Sequence, residues 1–388
     1  LLKLSTFIQP IREKKDSEDT KEHSRILALA TAHLDFNAEE LQTIGFLINN
    51  AYLMIETALH DDTRQPRVIE NFAKKIGSIE KLDLLYLRSY AELRAVAPGT
   101  LTSWKKVLIS ELHQRSRGYF QHPESLHSRP LTTWVEVYKI LHWEFPPEDL
   151  EFHFNNLPED YLGSVNVEEA ALHIRLIRSL NDKSFIFNHS YNNEGKSHQV
   201  ILCCPIKFDA FKILAGTLTA QSKNILEAKI FIRKDGIIII SANIEETEKE
   251  TAGNLEIWKN LKQNLSTIFE GHESLSNLLA QRTRYISEKK ITATITPKVN
   301  VDNESDPNFS IVRVEANDHL GMLYKISKVF SELDIRIHSA KVSTQGGRGI
   351  DVFYVSHQNK KILFEKLVRR TKEKVISAMM VKNPEELG

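Results

Sequence analysis

Residues 311–343 read IVRVEANDHLGMLYKISKVFSELDIRIHSAKVS. Ile311 to Glu315 has the composition of a short strand, Leu323, Ile326, Phe330 and Leu333 recur at helical spacing, and Ile335 to Thr344 returns to strand. Gly346-Gly347-Arg348-Gly349 turns the chain into a strand from Ile350 to Val355, and Phe364, Leu367, Val368, Thr371 and Val375 form a closing helix stripe. The order is βαββα, which predicts an antiparallel sheet with helices on one face.

The same order occurs upstream. Val200 to Cys203 is a short apolar strand, Phe211, Leu214, Ala215 and Leu218 make a helix stripe, and Ile225 to Ile232 turns at Lys234-Asp235-Gly236 into Ile237 to Ile240. Phe211 matches Leu323, and Ala228-Lys229 matches Ala340-Lys341, at one offset of 112 residues. A single offset shared by helix and strand marks an internal repeat. A polar helical stretch from Leu255 to Ser287, a strand over Ile291 to Thr296 and a polar linker from Val301 to Pro307 separate the copies.

Upstream of the repeat the pattern is helical. Leu82, Leu85, Tyr86, Ser89 and Leu93 share one face, as do Trp104, Val107, Leu108 and Leu112, with Pro98-Gly99 between the two segments. Asp62 to Pro66 breaks an earlier helix pair. Residues 1–120 therefore read as an all-helical unit, 121–195 as a mixed connecting region with a helical run near Val167 to Leu180, 196–300 as the first βαββα module and 305–388 as the second. The expected fold class is multidomain, α followed by α+β.

Composition excludes several functions. The 388 residues carry 51 Lys+Arg against 51 Asp+Glu, and this balance argues against a partner held by phosphate neutralisation, so no nucleic acid is expected. No apolar run approaches the roughly 20 residues of a membrane span, and no membrane partner is expected. The two cysteines, Cys203 and Cys204, are adjacent and would close no useful loop, which points to a reducing, cytoplasmic compartment. The chain starts at Leu1 without Met, and is expected to be a piece of a longer protein.

Between strand and helix the second copy carries Asn317-Asp318-His319-Leu320-Gly321-Met322-Leu323. This resembles the ligand loop of ACT domains, regulatory modules that bind amino acids. A Gly at the helix start lets a carboxylate approach the backbone N–H groups and the positive end of the helix dipole. The helical half adds a second resemblance. Thr57-Ala58, Asp62, Pro66-Arg67-Val68-Ile69, Leu84 to Leu87, Ala91 to Ala95, Trp104 and Glu111-Leu112 are similar to the HD-type domain of the bifunctional PII uridylyltransferase/uridylyl-removing enzyme family. Leu157 to Leu162 and His173 resemble the segment before that family's paired ACT domains, and Thr296 to Val299 with Asp302-Asn303 its inter-ACT linker.

The resemblance implies a glutamine-sensing regulatory part with a PII-like signalling protein as partner. Its amino-acid site would be Asn317, Asp318, His319, Gly321 and Met322, Asp318 meeting the ammonium and the N–H groups around Gly321 the carboxylate. It also implies an upstream nucleotidyltransferase domain that this chain lacks.

An HD phosphohydrolase needs His and Asp around Mg or Mn, because a metal-bound hydroxide is the nucleophile. The family's ligand positions fall here on Thr6 and Phe7, Ala51 and Glu92, of which only Glu92 can bind a cation. No cofactor is therefore expected in this chain, and no catalytic residue is assigned. His60-Asp61 reads as a surface or capping pair, His23 beside Glu22 and Asp19 as a solvated contact, and Tyr86 and Trp104 as core aromatics. The alternative is a diverged but active uridylyltransferase or phosphodiesterase whose transferase domain lies outside these residues. The first copy's loop, Ile206 to Phe211, places Ile206 where the second has Asp318, and Asp209, an expected helix N-cap, where it has Gly321.

Overall fold

The computed structural model describes residues 36–61, 63, 66–96, 100–123, 134–158, 161–193, 195–206, 209–246, 255–283, 295–317, 319–345 and 348–380. The chain divides into two compact units, Leu1–Arg129 and Pro130–Gly388.

The first unit is helical: α1 (Ala38–Asn49), α2 (Leu53–His60), α3 (Pro66–Ile76), α4 (Ile79–Val96) and α5 (Ser103–Gln121). Asn37 starts α1 through a capping box, its side chain accepting from the Glu40 N–H while Glu40 reaches back to the Asn37 N–H, each at 2.9 Å. The predicted stripe is the buried one, with Leu82, Leu85, Ser89 and Leu93 of α4 inside. Helix α5 packs against α2, α3 and α4, burying Leu108 and Leu112. Of the expected surface or capping pair, His60 is buried as the last residue of α2 and Asp61 is the C-cap residue; most of α2 is apolar and buried, with Glu56 exposed.

In the second unit, a helix over 134–141 and α6 (Pro147–Asn156), α7 (Tyr161–Ser164) and α8 (Val167–Arg178) precede an eight-stranded antiparallel sheet. The first copy comprises β1 (Ile186–Asn192), β2 (Ser197–Pro205), α9 (Ala210–Ala220), β3 (Ile225–Ile232) and β4 (Ile237–Glu245). Helices α10 (Leu255–Phe269) and α11 (Leu275–Thr283) follow, separated at Gly271, whose φ of +76° ends the single long helix expected there. The second copy comprises β5 (Lys298–Asp302), β6 (Ser310–Asn317), α12 (Met322–Glu332), β7 (Ile335–Gln345), β8 (Arg348–His357) and α13 (Glu365–Met380). The repeat holds in detail: α9 and α12 begin and end 112 residues apart, and so do the ends of β2 and β6.

Each copy has one strand more than expected, β1 and β5, which pair with the first strand of their copy and form the two outer edges. Of the strand expected over Ile291 to Thr296, residues 291–294 lie outside the described residues and 295–297 are not in a strand; β5 begins at Lys298 and takes in the start of the expected linker.

The sheet order is β1-β2-β4-β3-β7-β8-β6-β5, so the copies join through β3 and β7. In that junction Ala228 stands opposite Ala340. These are equivalent residues, so the copies are related by a local two-fold axis through the pair. One face of the sheet carries the main core, including Leu214, Leu218, Ile326, Phe330, Ala340 and Phe353 under α9 to α13.

Contrary to the expectation of helices on one face, the first copy is covered on both. Ile201, Cys203, Phe231 and Ile239 pack beneath Leu141, Leu150, Tyr161, Ala170 and Ile174 of the connecting helices. Polar anchors reinforce this layer: Lys229 Nζ donates to the Ser164 carbonyl, Ser241 Oγ donates to Glu169 at 2.5 Å, and the Tyr161 hydroxyl lies 2.7 Å from His173 Nδ1. Burial holds His173 down at about 3, so it is neutral in the folded protein.

Candidate functional site

The second copy's loop runs from the end of β6 to the start of α12. Gly321 is the residue before α12 and has φ +86°, ψ 4°, a left-handed conformation that explains glycine there. It offers no side chain of its own to cap the helix, and the Met322 N–H turns back to the His319 carbonyl at 3.2 Å. Met322 is buried in the core beneath. Asn317 ends β6, and its Oδ1 accepts from the Ile295 N–H at 3.1 Å, tying the loop to the segment before β5. Asp318 lies outside the described residues.

His319 is fixed by two contacts that settle its tautomer. Its Nδ1 is 2.9 Å from the Asn317 carbonyl, which can only accept, so Nδ1 carries the proton. Nε2 is then the acceptor for Lys325 Nζ at 3.0 Å. Lys325 has no exposed surface, so an ammonium lies buried one turn inside the helix, directly behind the loop. Helix start and buried cation both favour negative charge there. The importance of Lys325 was not inferred from sequence; the available signal was a lysine on the apolar stripe of α12, between Leu323 and Ile326.

The first copy's loop differs as its sequence indicates. Asp209 precedes α9, yet it makes no capping bond to its own helix. Its Oδ2 instead lies 2.8 Å from Lys212 Nζ and accepts from Ser331 Oγ of α12.

The positions that the family resemblance sets against metal ligands lie in the helical unit or upstream of its described part. Ala51 is buried and has no donor, and Thr6 and Phe7 lie outside the described residues. Glu92 lies one turn along α4 from Arg88, whose side chain is 2% exposed. The guanidinium donates to the Leu47 carbonyl, and the charge of Glu92 acts on it. Among the described residues no three His, Cys, Asp or Glu side chains come together as a metal site.

Residues 298–383 match the ACR9-like, ACT-like domain family, so the second copy is an ACT-like domain. Over more than nine-tenths of its length the chain is similar to bifunctional uridylyltransferase/uridylyl-removing enzymes. That of Bradyrhizobium sp. (strain ORS 278) is 24% identical over 91% of this chain and 38% of its own length. The one from Azospirillum brasilense is 24% identical over 97% of this chain and 41% of its own, and that of Zymomonas mobilis is 25% identical over 92% and 39%. The chain spans about two fifths of the length of these relatives. No described helix is long and apolar enough to cross a membrane.

Proposed function

We propose that this chain is a regulatory C-terminal portion of a uridylyltransferase-like protein, sensing a free amino acid, glutamine, at the second ACT copy. The observation that carries the reading is the contrast between the two loops. Gly321 brings no side chain to a helix start that lies in front of the buried Lys325 ammonium, whereas Asp209 places a carboxylate at the matching position. A ligand carboxylate is attracted in one case and repelled in the other. Asp318 is assigned the ligand's ammonium. The partner is a PII-like signalling protein, and the site of action is the cytoplasm. Burial pushes both thiols up, Cys204 to about 12, which suits cysteines that remain reduced and inert.

Titration calorimetry with glutamine should give one site per chain. Two sites of equal affinity, or no heat at all from a folded sample, would overturn the assignment.

The helical unit is proposed to be a scaffold without hydrolytic function, since Ala51 cannot ligate and Glu92 lies under the influence of Arg88. Incubation with uridylylated PII and Mn²⁺ or Mg²⁺ should release no UMP. Repeated turnover that disappears in Glu92→Ala would restore the phosphodiesterase reading.

A further inference from the structure

The local two-fold through Ala228 and Ala340 brings the start of each repeat helix toward the end of the other. On one side of the seam the groups are Asp209, Lys212 and Ser331; the residues 112 positions away, on the other side, are Gly321, Tyr324 and Thr219.

The first set forms a closed ring. Asp209 Oδ2 pairs with Lys212 Nζ at 2.8 Å and accepts from Ser331 Oγ, while Lys212 Nζ also donates to Ser331 Oγ at 3.3 Å. The carboxylate of Asp209 could have capped α9, as Asp commonly does, but it crosses to the other copy instead. The second set cannot form such a ring. Gly321 has no side chain, and Thr219 Oγ1 donates to the Ala215 carbonyl of its own helix. Tyr324 packs on Gly216, where a Cβ would lie only 2.9 Å from its Cδ2. One side of the seam thus has a carboxylate at the residue before the helix, and its counterpart has glycine at that position.

We propose that Asp209 is a tethered ligand surrogate: Lys212 and Ser331 form a carboxylate site at the first copy, and the side chain of Asp209 occupies it permanently. The class of molecule this site takes, once vacated, is a small monocarboxylate, including an α-amino acid. The first copy is then held in a filled state at all ligand concentrations, and only the second responds. The inference deepens the proposed sensing role, and part of its test does not depend on that role.

The test is calorimetric titration of the full chain and of Asp209→Gly, with glutamine and, separately, sodium acetate. Wild type should give one glutamine site and no acetate site. Asp209→Gly should give one additional site for each probe, and Asp209→Gly combined with Lys212→Met should lose the additional site again. Asp209→Asn keeps the shape of the plug and should behave as wild type, which separates vacancy from misfolding. If wild type binds no glutamine while Asp209→Gly binds acetate through Lys212, the sensing role fails and the surrogate stands. If Asp209→Gly keeps the wild-type melting profile and gains no site for either probe, or if the gained site persists without Lys212, the surrogate is wrong.

Discussion

Replacing Gly321 by valine is expected to remove amino-acid binding. The residue sits at φ +86°, where a β-branched side chain is strained by about 1–3 kcal/mol, and its branches would stand where the ligand carboxylate approaches. The strain lowers folding stability, whereas the obstruction lowers affinity: each 1.4 kcal/mol of lost contact is tenfold, so a blocked carboxylate should take binding out of the measurable range. Gly321→Asn provides the control, because asparagine tolerates the left-handed region: it should retain the melting temperature and still bind at least tenfold more weakly. Unchanged affinity in either variant would place the site elsewhere.

The second large effect is expected in the helical unit. Arg88→Leu removes the buried guanidinium, its hydrogen bond to the Leu47 carbonyl and its charge beside Glu92. Removing one member of a buried charged pair costs about 3–5 kcal/mol, a fall of roughly 10 °C or more in the unfolding of a domain this size. The double variant Arg88→Leu, Glu92→Leu should recover part of the loss, since it removes both charges and leaves an apolar pair. Melting of Arg88→Leu within a degree or two of wild type would show that the guanidinium has no compensating role.

The repeat was legible because its signal is redundant: the helix stripe, the Ala-Lys pair and the turns all sit at one offset, and α9 and α12 coincide with it. The edge strands were not. In β5, Lys298 and Asn300 are exposed and the other residues half-buried, and β1 is partly exposed along its length, so neither has the apolar composition that marks a strand. The second helical layer had a readable signal that the one-faced expectation passed over. Val200-Ile201-Leu202-Cys203 and Ile237 to Ile240 are apolar at every position, which requires cover on both faces, whereas β6 alternates Val312, Arg313, Val314, Glu315.

At the candidate site, the loop and its glycine could be read directly from the sequence. The tautomer of His319 and the burial of Lys325 could not, because both follow from how α12 seats on the sheet. Asp209 was anticipated at the helix start, but its bond to Ser331 joins residues far apart in the chain that meet only across the seam.

The Ala228–Ala340 pairing joins the copies within one polypeptide. Two identical chains related by such an axis must change both loops together: an aspartate that closed one would close its twin, and the assembly would lose its response altogether. A duplicated sequence escapes that constraint, since a mutation in one loop leaves the other intact. Under the proposed role, one loop per molecule responds, and the occupancy of such an independent site would follow a simple hyperbola, needing roughly an 80-fold rise in effector to pass from one-tenth to nine-tenths full. Such a device would respond to a broad range of effector in graded fashion, where a symmetric pair of coupled loops would act more like a switch.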